Sequence, residues 1–217
     1  MSTTSLIKQA DAVIFDLDGV LVDTAVFHFK AWKRLAKSFG FNFTTADNEQ
    51  LKGISRMDSL DLIINWAKLQ PTSLERLEYA EQKNIWYLEL VEQMTKGEVL
   101  PGCIELLDYL RQSGKKVALG SASKNAKLIL NKTGIIDYFD AIVDGNAVTH
   151  SKPDPEVFLL GARQLGVVPE KCLVFEDAQA GIQAAKSAGM NVIAVDRDRT
   201  LTSYDARLDE LTEIEYS

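Results

Sequence analysis

The most restrictive feature of this sequence is a set of short, uninterrupted apolar runs. They are Ala12–Phe15, Val117–Leu119, Ala141–Val143, Leu173–Phe175 and Val192–Val195. A strand with one face in water alternates apolar and polar residues, whereas a strand covered on both faces is apolar throughout. These runs therefore predict the strands of a sheet that has helices on both sides.

Helical patterns lie between the later runs, and each ends at a glycine, the residue that most easily adopts the left-handed conformation closing a helix. The segments are Ile104–Ser113 before Gly114, Ala126–Thr133 before Gly134, Glu156–Leu165 before Gly166, and Ala178–Ala188 before Gly189. Strand, helix and strand in this order predict right-handed crossovers and a parallel sheet. We therefore expect an α/β protein with a Rossmann-like parallel sheet flanked by helices.

One region interrupts this alternation. Residues 25–94 contain helical patterns at Ala25–Phe39, Ser59–Leu69 and Leu74–Met94, and no convincing strand. Such a stretch after the first strand predicts an inserted α-helical cap domain of residues 25–94, with a core domain of residues 1–24 and 95–217. The alternative is that these helices merely cover the sheet.

Composition and charge narrow the possible partners. The 217 residues carry a formal net charge of −7, so the chain lacks the basic character of proteins that bind nucleic acid. No apolar run reaches the roughly 20 residues that span a bilayer, and no signal peptide is visible in residues 1–10. Cys103 and Cys172 have no Cys-x-x-Cys partner and are expected to be reduced. These features favour a cytoplasmic protein without membrane contact, and we expect a monomer.

Polar residues follow four of the predicted strands where each strand ends. They are Asp16–Gly19, Gly120–Asn125, Ser151–Pro155 after a short loop, and Glu176-Asp177. Ligands of open parallel sheets bind beyond the carboxyl ends of the strands. The sequence therefore predicts one site that combines carboxylates, hydroxyls and a lysine.

The carboxylates at this edge require a cation. Asp16 and Asp18 are two residues apart in an extended segment and so point to the same side, and two further acidic residues lie in the Glu176-Asp177 pair. Hard oxygen ligands suit Mg²⁺, and Lys152 adds positive charge. An aspartate can attack a phosphoryl group while a second one moves a proton. Because Ser121 and the N–H groups after it can hold phosphate at a helix start, the pattern predicts phosphoryl transfer.

These segments resemble the motifs of the haloacid dehalogenase (HAD) superfamily. Phe15–Thr24 is similar to its first motif, Ser121–Ser123 to its second, Lys152-Pro153 to its third and Glu176-Asp177 to its fourth. The resemblance implies a HAD-like core with Asp16 as nucleophile, Asp18 as general acid and base, and one Mg²⁺ per subunit. It also implies that Asp16, the backbone carbonyl of Asp18 and Asp177 hold the ion, with Glu176 in or near its coordination shell.

A further set of segments comprises Thr24, His28-x-x-x-Trp32, Lys52–Arg56, Lys83-Asn84 and Ser121–Asn125. Together they resemble one branch of this superfamily, the β-phosphoglucomutases. Those enzymes interconvert β-glucose 1-phosphate and glucose 6-phosphate through an aspartyl-phosphate, with β-glucose 1,6-bisphosphate as intermediate and primer. The resemblance implies that Arg56 and Asn125 hold the phosphate that is not transferred, and that His28 helps to position Asp18. It implies a catalytic set of Asp16, Asp18, Thr24, His28, Ser121 and Lys152, and a substrate-binding set of Trp32, Leu51, Gly53, Ile54, Ser55, Arg56, Ser59, Lys83, Ser121, Ala122, Ser123, Asn125 and Lys152.

Other interpretations remain open at this stage. His28 and Trp32, four residues apart, share one helix face and are compatible with ordinary packing, and Leu51–Arg56 is compatible with a loop of solvated charges. Leu21-Val22 is equally at home in phosphatases, so a sugar-phosphate phosphatase with the same core is the first alternative. A non-catalytic phosphosugar sensor that kept the fold is the second.

Overall fold

The structure, a computed structural model, describes residues 2–216. A six-stranded sheet lies at its centre, with every paired strand parallel and the order β3-β2-β1-β4-β5-β6. The strands are β1 (Ala12–Phe15), β2 (Lys116–Gly120), β3 (Ala141–Val143), β4 (Cys172–Glu176), β5 (Asn191–Val195) and β6 (Ala206–Leu208). The five predicted strands are confirmed to within one residue, and β6 was not predicted.

Helices cover both faces of this sheet. In chain order they are α1 (Thr3–Gln9), α2 (Ala25–Ser38), α3 (Thr45–Glu49), α4 (Arg56–Trp66), α5 (Ser73–Val91), α6 (Cys103–Gln112), α7 (Ala126–Thr133), α8 (Glu156–Leu165) and α9 (Gln179–Ser187). Short 3-10 turns occupy Lys96–Glu98, Ile136–Tyr138, Pro169–Lys171 and Leu211–Glu213. The predicted Rossmann-like α/β fold is confirmed.

Successive residues of each strand enter two different hydrophobic clusters, which explains why the runs are apolar throughout. Val13 and Phe15 belong to the cluster that includes α6 and α7, whereas Ile14 belongs to the one that includes α8 and α9. All three side chains are completely buried. A strand with two covered faces has no position for a polar side chain until it ends.

The helices α2–α5 pack around a hydrophobic cluster of their own, separate from the two clusters of the sheet. Its buried members are Trp32, Leu35, Ala36, Phe43, Leu51, Leu60, Ile63, Ile64 and Ala80. Other residues of these helices, including Tyr87 and Val91 of α5, join the cluster on one face of the sheet. The α2–α5 segment therefore has its own packing and also rests on the sheet.

The start of α4 differs from the sequence expectation. The helix begins at Arg56, before the predicted Ser59, because the Ser55 hydroxyl accepts a hydrogen bond from the backbone N–H of Asp58 and caps its first turn. Such a cap satisfies an N–H group that has no partner within the helix. Arg56 consequently occupies the first helical position and Ser55 the cap.

The two ends of the chain also pack on the core. Leu6 and Ile7 of α1 are buried, as are Leu208, Leu211 and Ile214 near the C-terminus. Both cysteines are buried and free. Among residues 2–216, no helix combines the length and the apolar character that crossing a membrane requires.

Candidate active site

The centre of the site is a buried cluster at the carboxyl ends of β1 and β4. Lys152 Nζ donates hydrogen bonds of 2.6 Å to Asp16 Oδ1 and of 2.6 Å to Glu176 Oε1. Burial alone lowers the pKa of Lys152, but the charges of Asp16 and Glu176 more than compensate and hold it above its ordinary value. Lys152 is therefore a fixed positive charge beside the predicted nucleophile.

Glu176 lies beneath this lysine with no exposed surface. Burial raises the pKa of its carboxyl group to about 6, against the opposing charge of Lys152. Its second oxygen, Oε2, accepts a hydrogen bond of 2.8 Å from the backbone N–H of Ala178. Both oxygens thus have partners, which fixes the orientation of the carboxylate.

The predicted metal ligands come together at the same edge. Asp16, Glu176 and Asp177 each offer a carboxylate oxygen, and these atoms all lie within 4.8 Å of one another. Burial, Glu176 and Asp16 raise the pKa of Asp177 well above its ordinary value, because negative charges are crowded there. Three clustered oxygen donors with such crowding fit a hard divalent cation such as Mg²⁺.

Gly19 makes room for Asp177 in this cluster. Its backbone has a φ of +78°, and a Cβ at this position would lie 2.1 Å from Asp177 Oδ2. A side chain here would therefore be strained and would also displace the carboxylate. The glycine that follows Asp18 in the first motif is explained by this close approach.

Asp18 faces the α2–α5 segment. Burial, and then the neighbouring charge of Asp16, raise the pKa of Asp18 to about 7. Its Oδ1 atom is buried without a hydrogen-bond partner, and its Oδ2 lies 4.0 Å from His28 Nε2. A carboxyl group with a pKa near neutrality can both give and take a proton at physiological pH.

His28 and Lys83 form a buried pair above Asp18. Lys83 Nζ lies 2.8 Å from His28 Nδ1, and burial together with Lys83 lowers the pKa of His28 well below its ordinary value. A neutral histidine that accepts a hydrogen bond at Nδ1 carries its proton on Nε2, the atom that faces Asp18. The Lys83 Nζ also lies 4.5 Å from the ring centre of Trp32.

The loop after β2 is braced by its own serines. Ser121 Oγ accepts a hydrogen bond of 3.1 Å from Ser123 N, and Ser123 Oγ accepts one of 3.2 Å from Asn125 N. The loop leads directly into α7, whose first residue is Ala126. It is therefore held in place at a helix start, where backbone N–H groups favour anions.

Two contacts bring the α2–α5 segment against the opposite wall. Asn125 Nδ2 donates a hydrogen bond of 3.0 Å to Asn84 Oδ1 of α5, and Lys52 Nζ lies 3.9 Å from Asp177 Oδ2. Burial lowers the pKa of Arg56, whose ion-pair partner Glu81 is 3.9 Å away. This partly buried guanidinium has only a distant partner and can bind an anion.

One cavity collects most of the predicted residues. It is lined by Asp16, Asp18, His28, Trp32, Leu51, Gly53, Ile54, Arg56, Ser59, Lys83, Ser121, Ala122, Ser123, Asn125 and Asp177. Four predicted residues do not line it. Lys152 and Glu176 lie beneath Asp16, Thr24 is buried with an unpartnered hydroxyl, and Ser55 lines a neighbouring cleft.

Sequence reasoning assigned no role to four other residues that line this cavity with polar side chains. They are Asn48, Lys52, Asn84 and Lys124. Lys52, Asn84 and Lys124 belong to segments that resemble the β-phosphoglucomutases, and this resemblance was the available signal. Asn48 follows from nothing in the linear pattern, because it lies in α3, a helix of five residues that the sequence did not reveal.

Several known proteins are similar to this chain in sequence and in fold. β-Phosphoglucomutase of Bacillus subtilis (strain 168) is 44% identical over 196 residues, which cover 89% of this chain and 87% of that protein. A phosphorylated carbohydrates phosphatase of Thermotoga maritima is 35% identical over 187 residues, 84% of this chain and 83% of that one. The crystal structure of a β-phosphoglucomutase from Clostridium difficile superposes with a TM-score of 0.91 at 41% identity, covering 95% of this chain and 93% of that chain.

The family follows from the extent of these similarities. Residues 13–195 match the sequence model of the haloacid dehalogenase-like hydrolases. That range contains all four motifs and every residue described above as lining the cavity. The chain belongs to the haloacid dehalogenase-like hydrolase family.

Proposed function

We propose that this chain is a β-phosphoglucomutase, which interconverts β-glucose 1-phosphate and glucose 6-phosphate. The observation that carries the proposal is one cavity whose lining includes the Asp16 carboxylate with the Ser121–Asn125 loop and also the Arg56 guanidinium, so that a phosphate can be placed at Asp16 and a second one at Arg56. A sugar with phosphates on two carbons requires two such places. The similarity to two β-phosphoglucomutases supports the same substrate class.

The first half-reaction uses Asp16 as nucleophile. An Asp16 carboxylate oxygen forms a bond to phosphorus as the bond from phosphorus to the sugar oxygen breaks, and Asp18 donates its proton to that leaving oxygen. Lys152 holds Asp16 and neutralises charge that develops on the phosphoryl group. Starting from the bisphosphate, this step leaves a phosphorylated Asp16 and a hexose monophosphate.

In the second half-reaction the sugar is the nucleophile, Asp16 is the leaving group and Asp18 accepts a proton. A hydroxyl of the monophosphate attacks phosphorus, the bond to Asp16 breaks, and the hydroxyl proton passes to Asp18. His28 Nε2 lies 4.0 Å from Asp18 Oδ2, and in this proposal the histidine positions the carboxylate that takes the proton. Arg56 and Asn125 hold the phosphate that stays on the sugar.

A bound magnesium ion fits the chemistry of this cluster. Asp16, Asp177 and the backbone carbonyl of Asp18 would hold it, with Glu176 in or near the coordination shell. Its chemistry would be to neutralise the negative charges of the nucleophile and the phosphate oxygens. Serines and backbone N–H groups of the loop at residues 121–125 would hold the remaining phosphate oxygens.

The α2–α5 segment has the role of a cap in this proposal. We assign residues 25–94 to a cap domain, and residues 1–24 with 95–217 to a core domain. Phosphorylated Asp16 reacts with water as well as with sugar, so a closed cavity that excludes water is needed to direct transfer. All the assigned groups belong to one chain, so a monomer suffices.

A phosphatase acting on sugar phosphates is the second candidate. It is favoured by the 35% identity to the Thermotoga maritima phosphatase and needs the same core chemistry with water as acceptor. The two functions differ in the fate of the phosphoryl group on Asp16. Transfer to sugar gives glucose 6-phosphate, whereas transfer to water gives inorganic phosphate.

The deciding experiment measures both products from the same reaction. β-Glucose 1-phosphate, Mg²⁺ and a trace of β-glucose 1,6-bisphosphate are incubated with the enzyme, and glucose 6-phosphate and inorganic phosphate are quantified. We expect glucose 6-phosphate to predominate and the Asp16→Asn variant to form neither product. Predominant release of phosphate by the unmodified enzyme would show that the protein is a phosphatase.

A further inference from the structure

A hydrogen bond outside the proposed cavity joins the cap to the core. Ser151 Oγ donates to Asp58 Oδ2 at 2.5 Å. Asp58 lies in the first turn of α4, and Ser151 lies in the segment between β3 and α8. Both residues line a second, open cleft between the two parts of the molecule. Neither belongs to the catalytic or binding residues assigned above.

On the cap side, the acceptor is rigidly placed. The Asp58 Oδ2 atom also accepts a hydrogen bond of 2.5 Å from Ser55 Oγ, and the Ser55 hydroxyl accepts one of 3.2 Å from Asp58 N. This pair of bonds fixes the carboxylate relative to the start of α4. Arg56, the proposed phosphate ligand, is the first residue of that helix.

On the core side, the donor belongs to the turn that carries the buried lysine. The backbone N–H of Asp154 donates a hydrogen bond of 3.0 Å to the carbonyl of Ser151, closing the turn of residues 151–154. Lys152 is the second residue of this turn, and its Nζ contacts Asp16 and Glu176. The hydrogen bond to Asp58 therefore attaches the cap to the core next to the lysine that contacts the nucleophile, while Lys152 itself is held by Asp16 and Glu176.

The bond is suited to forming and breaking. A hydrogen bond from a hydroxyl to a carboxylate is stronger than one between two neutral groups. The Asp58–Ser151 bond therefore favours the arrangement in which cap and core are in contact. Asp58 is exposed and Ser151 only half-buried, so water can replace either partner when the two walls separate. Water replaces the partners of a deeply buried pair such as Lys152 and Glu176 far less readily.

We propose that the Asp58–Ser151 hydrogen bond is a closure contact that holds the Arg56 end of the site against the Lys152 end and so directs the phosphoryl group of Asp16 to sugar. The inference rests on the proposed mutase function. When the contact holds, a sugar hydroxyl oxygen bonds to phosphorus, the bond to Asp16 breaks and the hydroxyl proton passes to Asp18. When it is lost, a water oxygen takes the place of the hydroxyl and inorganic phosphate leaves.

Removing the donor hydroxyl tests the contact directly. The readout is the ratio of glucose 6-phosphate to inorganic phosphate formed from β-glucose 1-phosphate and primer. In Ser151→Ala we expect this ratio to fall about tenfold, because the variant loses one hydrogen bond to a charged group. Ser151→Thr keeps a hydroxyl and should retain the ratio to within about twofold. An unchanged ratio in Ser151→Ala would overturn the proposal.

Two controls separate this effect from general damage. Hydrolysis of acetyl phosphate, a small donor that needs no closed cap, should stay within about twofold in Ser151→Ala, because Lys152 keeps its own two partners. Thr149→Ala removes an exposed hydroxyl from the same cleft wall and should leave the product ratio unchanged. If acetyl phosphate hydrolysis collapses together with the ratio, Ser151 supports the core alone and the proposal is wrong.

A double-mutant cycle tests whether the two residues act through each other. Asp58→Ala should lower the ratio as much as Ser151→Ala, and the double variant no further. If the fold-losses of the two single variants multiplied in the double variant, the residues would act independently, which would contradict a shared contact. The failure of this proposal is distinguishable from the failure of the proposed function. If the unmodified enzyme forms mainly inorganic phosphate, the mutase function is wrong. If the enzyme is a mutase and its product ratio is unchanged in Ser151→Ala, only the closure contact is wrong.

Discussion

The two ends of the cavity are built in different ways. At the core end, Lys152, Asp16 and Glu176 are nearly or completely buried and joined by hydrogen bonds of 2.6 Å. At the cap end, the nearest partner of Arg56 is Glu81, 3.9 Å away with a side chain that is 64% exposed. The lysine of the core end is thus already paired with two carboxylates, whereas the guanidinium of the cap end is available for a ligand.

The largest effect should come from the core end. Replacing Lys152 by Met removes the only cation that contacts both Asp16 and Glu176 among the described residues and leaves two buried carboxylates facing each other. Breaking such a pair costs about 3–5 kcal/mol of stability, and we expect kcat to fall at least about 1,000-fold because the nucleophile loses its positioning charge. Steady-state kinetics and thermal unfolding measure the two effects.

The control for this variant is the same substitution at a solvent-exposed lysine. Lys127 is exposed on α7, and Lys127→Met should leave both kcat and the melting temperature nearly unchanged. A Lys152→Met enzyme with more than about a tenth of normal kcat would mean that Asp16 needs no neighbouring cation, and the asymmetry between the two ends would lose its basis.

The core end could be predicted from sequence because its residues stand at the ends of strands that are recognisable as short apolar runs. Asp16 and Glu176 follow directly on an apolar run and Ser121 follows one after a single glycine, and parallel strands bring all their carboxyl ends to one edge. Nothing about distant packing is needed to place such residues together. β6 escaped prediction because its three residues, Ala206–Leu208, include an arginine and only one buried side chain.

An intermediate effect is expected at the cap end. Arg56→Ala should lower kcat/KM for β-glucose 1-phosphate by about 10- to 100-fold. This range corresponds to the roughly 1.5–3 kcal/mol that a hydrogen bond to a charged group contributes. Acetyl phosphate, which has no second phosphate, should be hydrolysed at an unchanged rate. The matched control is Arg34→Ala, an exposed arginine of α2, which should alter neither substrate. Equal losses for both substrates in Arg56→Ala would place Arg56 in the core chemistry instead.

The cap end was harder to predict because its contacts depend on how two separately packed parts meet. Lys52 to Asp177, Asn84 to Asn125 and Asp58 to Ser151 join residues 41 to 125 positions apart. Periodicity within a helix shows which residues share a face, but it does not show which loop of the other part that face will meet. The resemblance to known mutases supplied Arg56, whereas the contact pairs required the structure.

The smallest effect should arise at Gly53, where the cap packs against α9 and the residue before it. Gly53 has a φ of +75°, and a Cβ there would lie 2.9 Å from the Cβ of the buried Ala178 in the core. Gly53→Ala therefore adds a methyl group between cap and core and hinders closure. We expect kcat/KM for β-glucose 1-phosphate to fall about tenfold, with more inorganic phosphate per turnover, because an incompletely closed cavity admits water.

Gly40 provides the matched control for this last variant. Its φ of +74° is nearly the same as that of Gly53, but a Cβ there would meet nothing within 4 Å. Both substitutions to alanine place a side chain in a left-handed conformation at a cost of about 1–2 kcal/mol, so thermal unfolding should show destabilisation in both, with a further loss in Gly53→Ala from the contact with Ala178. Only Gly53→Ala should change the product ratio, since only it obstructs the approach of cap to core. If Gly40→Ala changed the ratio equally, backbone strain within the cap, and not its docking on Ala178, would control the choice between sugar and water.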